Sequence, residues 1–185
     1  MNRKLNAKEL RSNSLRARLK KSLTRRSTAR NGIYIILDNV LDTYNIGSIF
    51  RLADAVSAKK LYLCGGTETP PNHRIKKASI NTTEVVSWEY FDTTKDAINE
   101  LRRQVPNVQI IGIEQTDKSI LYTNFEYKLP IALIVGHESD GISNEVLKLC
   151  DAVVELPMFG INISLNVMVS LGIVLYKVVE QTLLK

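Results

Sequence analysis

A chain of 185 residues that is 44% hydrophobic and 24% charged has the composition of a globular protein with one buried core, which excludes fibrous and disordered classes. Its two cysteines, Cys64 and Cys150, form no C-x-x-C pair, so neither a zinc site nor a disulfide framework is expected, and a reducing, cytoplasmic setting fits best. The net charge of +6 is uneven: residues 1–30 hold 11 Lys/Arg and 1 acid, leaving 14 bases against 18 acids in the remainder. A basic leading segment attracts phosphate backbones through counterion release and makes nucleic acid the leading partner; a solvated tail is the competing reading of the same charges.

In chain order, residues 1–31 read as a basic extension and 32–185 as one domain. Within the extension, Leu5, Leu10, Leu15, Leu19 and Leu23 recur at near-helical spacing among cations, the pattern of a basic amphipathic helix. No apolar h-region follows, so no secretory signal is expected. Six β-rich runs then appear, at residues 33–37, 60–63, 84–88, 108–113, 131–135 and 152–156. Four are nearly continuous apolar, as in a parallel sheet covered on both faces. Between the first two, Ile46, Ile49, Phe50 and Ala53 share one face of a helix over 46–55, which leaves Arg51 pointing away from the core. Pro70-Pro71 marks a loop that includes His73, residues 92–104 read as a helix with Ala97, Ile98 and Leu101 on one side, and Ser143 can cap a short helix over 144–149. Residues 165–184 read as a long, largely buried helix with Ser164 as its cap. The most apolar stretch, 167–176, is too short to cross a bilayer. The alternation predicts a doubly wound α/β domain: a mostly parallel sheet with helices on both faces.

Several chemistries are excluded. His137-Glu138 fails the H-E-x-x-H zinc pattern because Gly141 occupies the second histidine position, and no metal is expected. There is no phosphate-binding P-loop, no G-x-G-x-x-G after the first strand and no G-x-S-x-G elbow. Three stretches remain. Asn45-Ile46-Gly47-Ser48-Ile49-Phe50-Arg51 leaves Asn45 and Arg51 without a packing role, an N-cap and a solvated arginine being the plain alternatives. Gly136-His137-Glu138-Ser139-Asp140-Gly141 follows a buried strand and places a carboxylate between two glycines, where backbone can approach a ligand. Leu156-Pro157-Met158, with Ser164-Leu165-Asn166 further on, mixes apolar walls with donors and acceptors, a combination suited to an adenine ring and its edge.

Taken together, N-x-G with a following Arg, G-x-E-x-x-G, and P-M-x-G-x-x-x-S-L-N-V resemble the SpoU/TrmH class of SPOUT RNA methyltransferases over residues 33–180. The resemblance implies a C-terminal deep trefoil knot, S-adenosyl-L-methionine (AdoMet) as methyl donor, tRNA or rRNA as substrate and a homodimer in which Arg51 helps build a site shared with the partner subunit. It implies Arg51, Asn45, Glu138 and Asn166 as catalytic residues and Gly136, Leu156, Met158, Ser164 and Leu165 as cofactor-binding residues. His137 stands where Asn is common, Ser48 where Ala is common, and Asn81 where Gly is frequent; Asn tolerates left-handed backbone. Ribose 2′-O-methylation is the expected reaction. A non-catalytic RNA-binding or assembly protein, and a base methyltransferase of the same superfamily, are the alternatives.

Overall fold

The computed structural model describes residues 30–184, so the basic extension and its expected helix lie outside the described residues. The elements run β1 (Asn31–Asp38), α1 (Thr43–Ala55), β2 (Ala58–Cys64), α2 (His73–Ser79), a 3-10 turn (Thr82–Glu84), β3 (Trp88–Phe91), α3 (Thr94–Gln104), β4 (Gln109–Ile113), β5 (Ile120–Leu121), β6 (Ile131–Val135), α4 (Asn144–Leu147), β7 (Ala152–Glu155) and α5 (Val167–Thr182). They build one seven-stranded sheet, ordered β3-β2-β1-β6-β4-β7-β5. Every paired neighbour is parallel.

Burial on both faces explains the apolar strands. Along β1, Ile33, Ile35 and Leu37 face one layer, with Ile49 and Phe50 of α1, Ile75 of α2 and Val174 and Leu175 of α5. Tyr34 and Ile36 alternate to the opposite layer, against Ile98 and Leu101 of α3 and Val146 of α4. All five residues of β6 are buried. Each such side chain removed from water contributes roughly 1.5–3 kcal/mol.

Several boundaries differ from expectation. The third strand begins at Trp88 rather than spanning 84–88, because Ile80 and Asn81 both take left-handed backbone, at φ 51° and 65°, and turn the chain into the 3-10 segment. Asn81 adopts the conformation its residue type favours; β-branched Ile80 was not foreseen in it. Helix α2 was missed. Its signal was Asn72, whose Oδ1 accepts from Arg74 N at 2.8 Å and Ile75 N at 3.3 Å, so His73 opens a helix rather than lying in a loop. Strand β5, two residues long, was also missed. Helix α1 starts earlier than read, with Asp42 as its cap, which removes the N-cap reading of Asn45. Ser143 does cap α4, accepting from Val146 N at 3.3 Å. Helix α5 starts at Val167, capped by Asn166 and not by Ser164, and it buries a single stripe (Leu171, Val174, Leu175, Val178) rather than most of its surface. Among the described residues no helix is long and apolar enough to cross a membrane.

Strand order reverses between β1 and β6, since β2 and β3 lie to one side of β1 while β6 and β4 lie to the other. The crevice outside the carboxyl ends of such strands is where ligands of open α/β sheets sit.

Candidate active site

Beyond β6 the chain doubles back within residues 136–141. His137 N donates to Gly141 O at 3.0 Å and Gly141 N donates to His137 O at 2.9 Å. The loop closes so tightly that a Cβ on Gly136 would fall inside the Gly141–Ile142 backbone, and Gly141 sits at φ +67°. His137 Nδ1 accepts from Ser139 N at 3.1 Å and Asp140 N at 3.2 Å. That is the service an asparagine side-chain oxygen performs in an Asx turn, which explains how histidine can stand there.

The loop directs Glu138 toward the start of α1. Its Oε2 accepts from Leu41 N at 3.1 Å, and its Oε1 accepts from Asp42 N and Asn45 Nδ2, both at 3.0 Å. Asn45, buried in the first turns of α1, in turn accepts at Oδ1 from Asn166 Nδ2 at 3.0 Å. Asn166 Oδ1 is occupied by the N-terminus of α5, accepting from Met168 N at 3.0 Å and Val169 N at 3.4 Å. One residue from each of the three sequence stretches therefore joins a single chain of hydrogen bonds, Glu138–Asn45–Asn166. Partial burial pushes the Glu138 carboxyl up, but the hydrogen bonds from Asn45, Leu41 and Asp42 outweigh it and hold its pKa below the ordinary value of 4.5. Glu138 is thus a fixed anion that orders two loops and is poorly suited to accept a proton.

Beside this network lies a cleft of about 330 Å³, walled by Gly136, Glu138, Leu156, Met158, Ser164 and Leu165 among others. All five residues expected to bind cofactor line it. Asn45 and Asn166 are not among its lining residues: buried Asn45 is joined to it through Glu138, and exposed Asn166, between lining Leu165 and Val167, is joined to Asn45. Arg51 does not line it: the side chain is exposed on α1, one turn beyond Gly47, with no hydrogen-bond or ion-pair partner among the described residues.

Two residues were missed. Glu114, at the end of β4, accepts from Ile142 N at 2.9 Å through Oε2 and fills the space a Cβ on Gly141 would take. Its neighbour Gln115 donates from Nε2 to Ile163 O at 2.8 Å. The pair ties the 136–142 loop and the 156–166 loop to the same strand end. Glu114 and Gln115 follow the apolar run 109–113, so polar residues at the carboxyl end of a buried strand were the available signal. No group of His, Cys, Asp and Glu among the described residues could hold a metal ion.

The SpoU rRNA methylase family model matches residues 32–176. The chain belongs to that family. Curated relatives include a 23S rRNA (guanosine-2′-O-)-methyltransferase, RlmB, of Ralstonia nicotianae, 30% identical over 80% of this chain and 59% of its own length. Another is the tRNA (guanosine(18)-2′-O)-methyltransferase of Aquifex aeolicus, 29% identical over 89% of this chain and 75% of its own length. Among solved structures, the SpoU methyltransferase AviRb from Streptomyces viridochromogenes in complex with AdoMet superposes with a TM-score of 0.75 at 26% identity, over 85% of this chain and 63% of that one. The chain thus spans 59% and 75% of the two curated relatives. The parallel α/β architecture expected of the SpoU family is the one observed.

Proposed function

We propose that this chain transfers the methyl group of AdoMet to a ribose 2′-hydroxyl of tRNA or rRNA. The observation that carries the reading is the Glu138–Asn45–Asn166 chain standing against a cleft at the strand ends. The names of the relatives support the donor, the ribose position and the RNA class.

The cleft suits the donor. Its volume lies in the range of small-molecule sites. Leu156, Met158 and Leu165 offer apolar walls for an adenine ring, the Ser164 hydroxyl and backbone groups offer polar contacts to its edge, and Gly136 lets the 136–141 backbone come close. When bound, AdoMet supplies a methyl group made electrophilic by its sulfonium. Glu138 holds the first turn of α1 to the cleft, so Asn45 and Asn166 keep fixed geometry toward the sugar. Arg51 stabilises the developing alkoxide or orients a phosphate; a guanidinium with pKa above about 12 is a poor base, so water or RNA accepts the proton.

A homodimer completes the assignment. Phe159, Ile161 and Ile163 beside the cleft are almost fully exposed, and Val169, Ile173 and Tyr176 extend an apolar surface along α5. A second copy packed there would bring Arg51 to a shared site. The trefoil knot, a catalytic domain over 32–185, a cytoplasmic setting and RNA capture by the 1–31 extension belong to the same proposal.

The test is incubation with labelled AdoMet and bulk RNA, followed by alkaline hydrolysis. Label in alkali-resistant dinucleotides is expected. Label in mononucleotides would mean base methylation, and no label at all would favour a binding module.

A further inference from the structure

On the sheet face that carries α1, α2 and α5, a second cleft of about 430 Å³ opens between α2 and the start of β3. One wall is the half-buried indole of Trp88, which packs against the core on its inner side. Pro70 and Pro71 form another wall. His73 and Thr83 reach the cleft with side chains that have no hydrogen-bond partner among the described residues, and the indole N–H is likewise unused. At its edge, Lys76 meets Glu84 at 3.6 Å, an exposed pair worth little. Arg74 and Lys77 on the exposed side of α2 have no counterion among the described residues. Helix α2 itself packs on α1, where a Cβ on Gly47 would meet Ala78 and Ser79, so these cations lie in the same layer as Arg51.

An aromatic face, solvent-accessible donors and acceptors not engaged within the chain, and cations without counterions together are the composition of a site for a single-stranded nucleotide: the ring stacks a base and the cations hold flanking phosphates. We propose that the Trp88 cleft takes one unpaired nucleobase of the RNA substrate, with Arg74 and Lys77 on the adjoining phosphates. The inference rests on RNA being the substrate and adds a recognition subsite distinct from the methyl-transfer cleft.

Trp88 is the single tryptophan of the chain, beside seven tyrosines, so its emission excited at the red edge reads this cleft alone. The full chain is titrated with a short single-stranded RNA of mixed sequence at about 200 mM salt, where contacts that depend on charge alone are weakened. Saturable quenching is expected. By anisotropy of the labelled RNA, Trp88→Ala should weaken binding about tenfold while Trp88→Phe, which keeps a stacking face, stays within about threefold. Arg74→Glu with Lys77→Glu should weaken binding by about tenfold or more and diminish the quench. RNA binding without any quench, unchanged affinity in Trp88→Ala, or equal quenching by inorganic polyphosphate would overturn the assignment. If Trp88→Ala does not fold, the quench in the unaltered chain and the charge-reversal pair decide the matter. AdoMet uptake measured by calorimetry on the same samples separates the two readings: quenching without donor uptake removes the methyltransferase and keeps the cleft, whereas methylation without quenching does the reverse.

Discussion

Replacing Asn45 by aspartate alters almost nothing in shape but sets a second carboxylate where Asn45 Nδ2 donates to Glu138 Oε1 at 3.0 Å. Two charges at that separation, at an effective dielectric of about 20, repel by roughly 5 kcal/mol. Holding one proton on the pair instead costs about 4 kcal/mol at about pH 7, since a carboxyl of pKa about 4 must be kept protonated some three units above it. The proton therefore stays, shared by the pair, and restores the donor that the amide supplied. The folded variant then binds one more proton than its unfolded chain, so stability must fall as pH rises and recover by about 1.4 kcal/mol per unit on acidification. Urea unfolding should show Asn45→Asp less stable than the parent by about 4 kcal/mol near pH 7 and by about 1.5 kcal/mol near pH 5. Asn45→Ala, which cannot carry that proton, should lose about 1.5–3 kcal/mol with no comparable recovery. A deficit in Asn45→Asp that is the same at both pH values would refute the reasoning, because it would mean that Glu138 does not face residue 45 as an anion.

Glu114→Gln keeps the volume but removes the charge that accepts from Ile142 N, and should weaken AdoMet binding by about fivefold to thirtyfold in calorimetry, leaving the melting temperature within a few degrees. Gly136→Ala forces a methyl into the Gly141–Ile142 backbone, so donor binding should disappear, and thermal melting should show whether the loop or the whole domain yields. Arg51→Lys keeps the charge and loses the forked guanidinium; turnover should drop about tenfold to a thousandfold with donor affinity unchanged, and full turnover would contradict a need for that geometry. Burial pushes the thiols of Cys64 and Cys150 up to about 12, so both should resist thiol-disulfide reagents near pH 8 until the chain is unfolded.

Much of the fold was legible because the relevant signals are local. Uninterrupted apolar runs such as 131–135 can only be buried on both faces, and the spacing of Ile46, Ile49, Phe50 and Ala53 can only be the inner stripe of a helix. Where local signals compete, tertiary context decides the boundary. A β-branched residue forced into left-handed backbone at Ile80 moved the third strand, and Asn166 rather than Ser164 took the cap of α5. Asn45, Glu138 and Asn166 were legible as members of three motifs without a packing role, and the five residues expected to bind the donor are among those that line the cleft.

How those motifs meet was not legible. Glu138 and Asn45 are 93 positions apart, Asn166 and Asn45 are 121 apart, and no periodicity carries information over such distances. Residue identity alone determined what the apolar strands and the first helix would bury and which polar side chains had no packing purpose. The tertiary structure decided that one carboxylate would organise two loops, that Glu114 would brace them, and that Arg51 would stand outside the cleft, because hydrogen bonds between loops form only once strand order has brought their ends together.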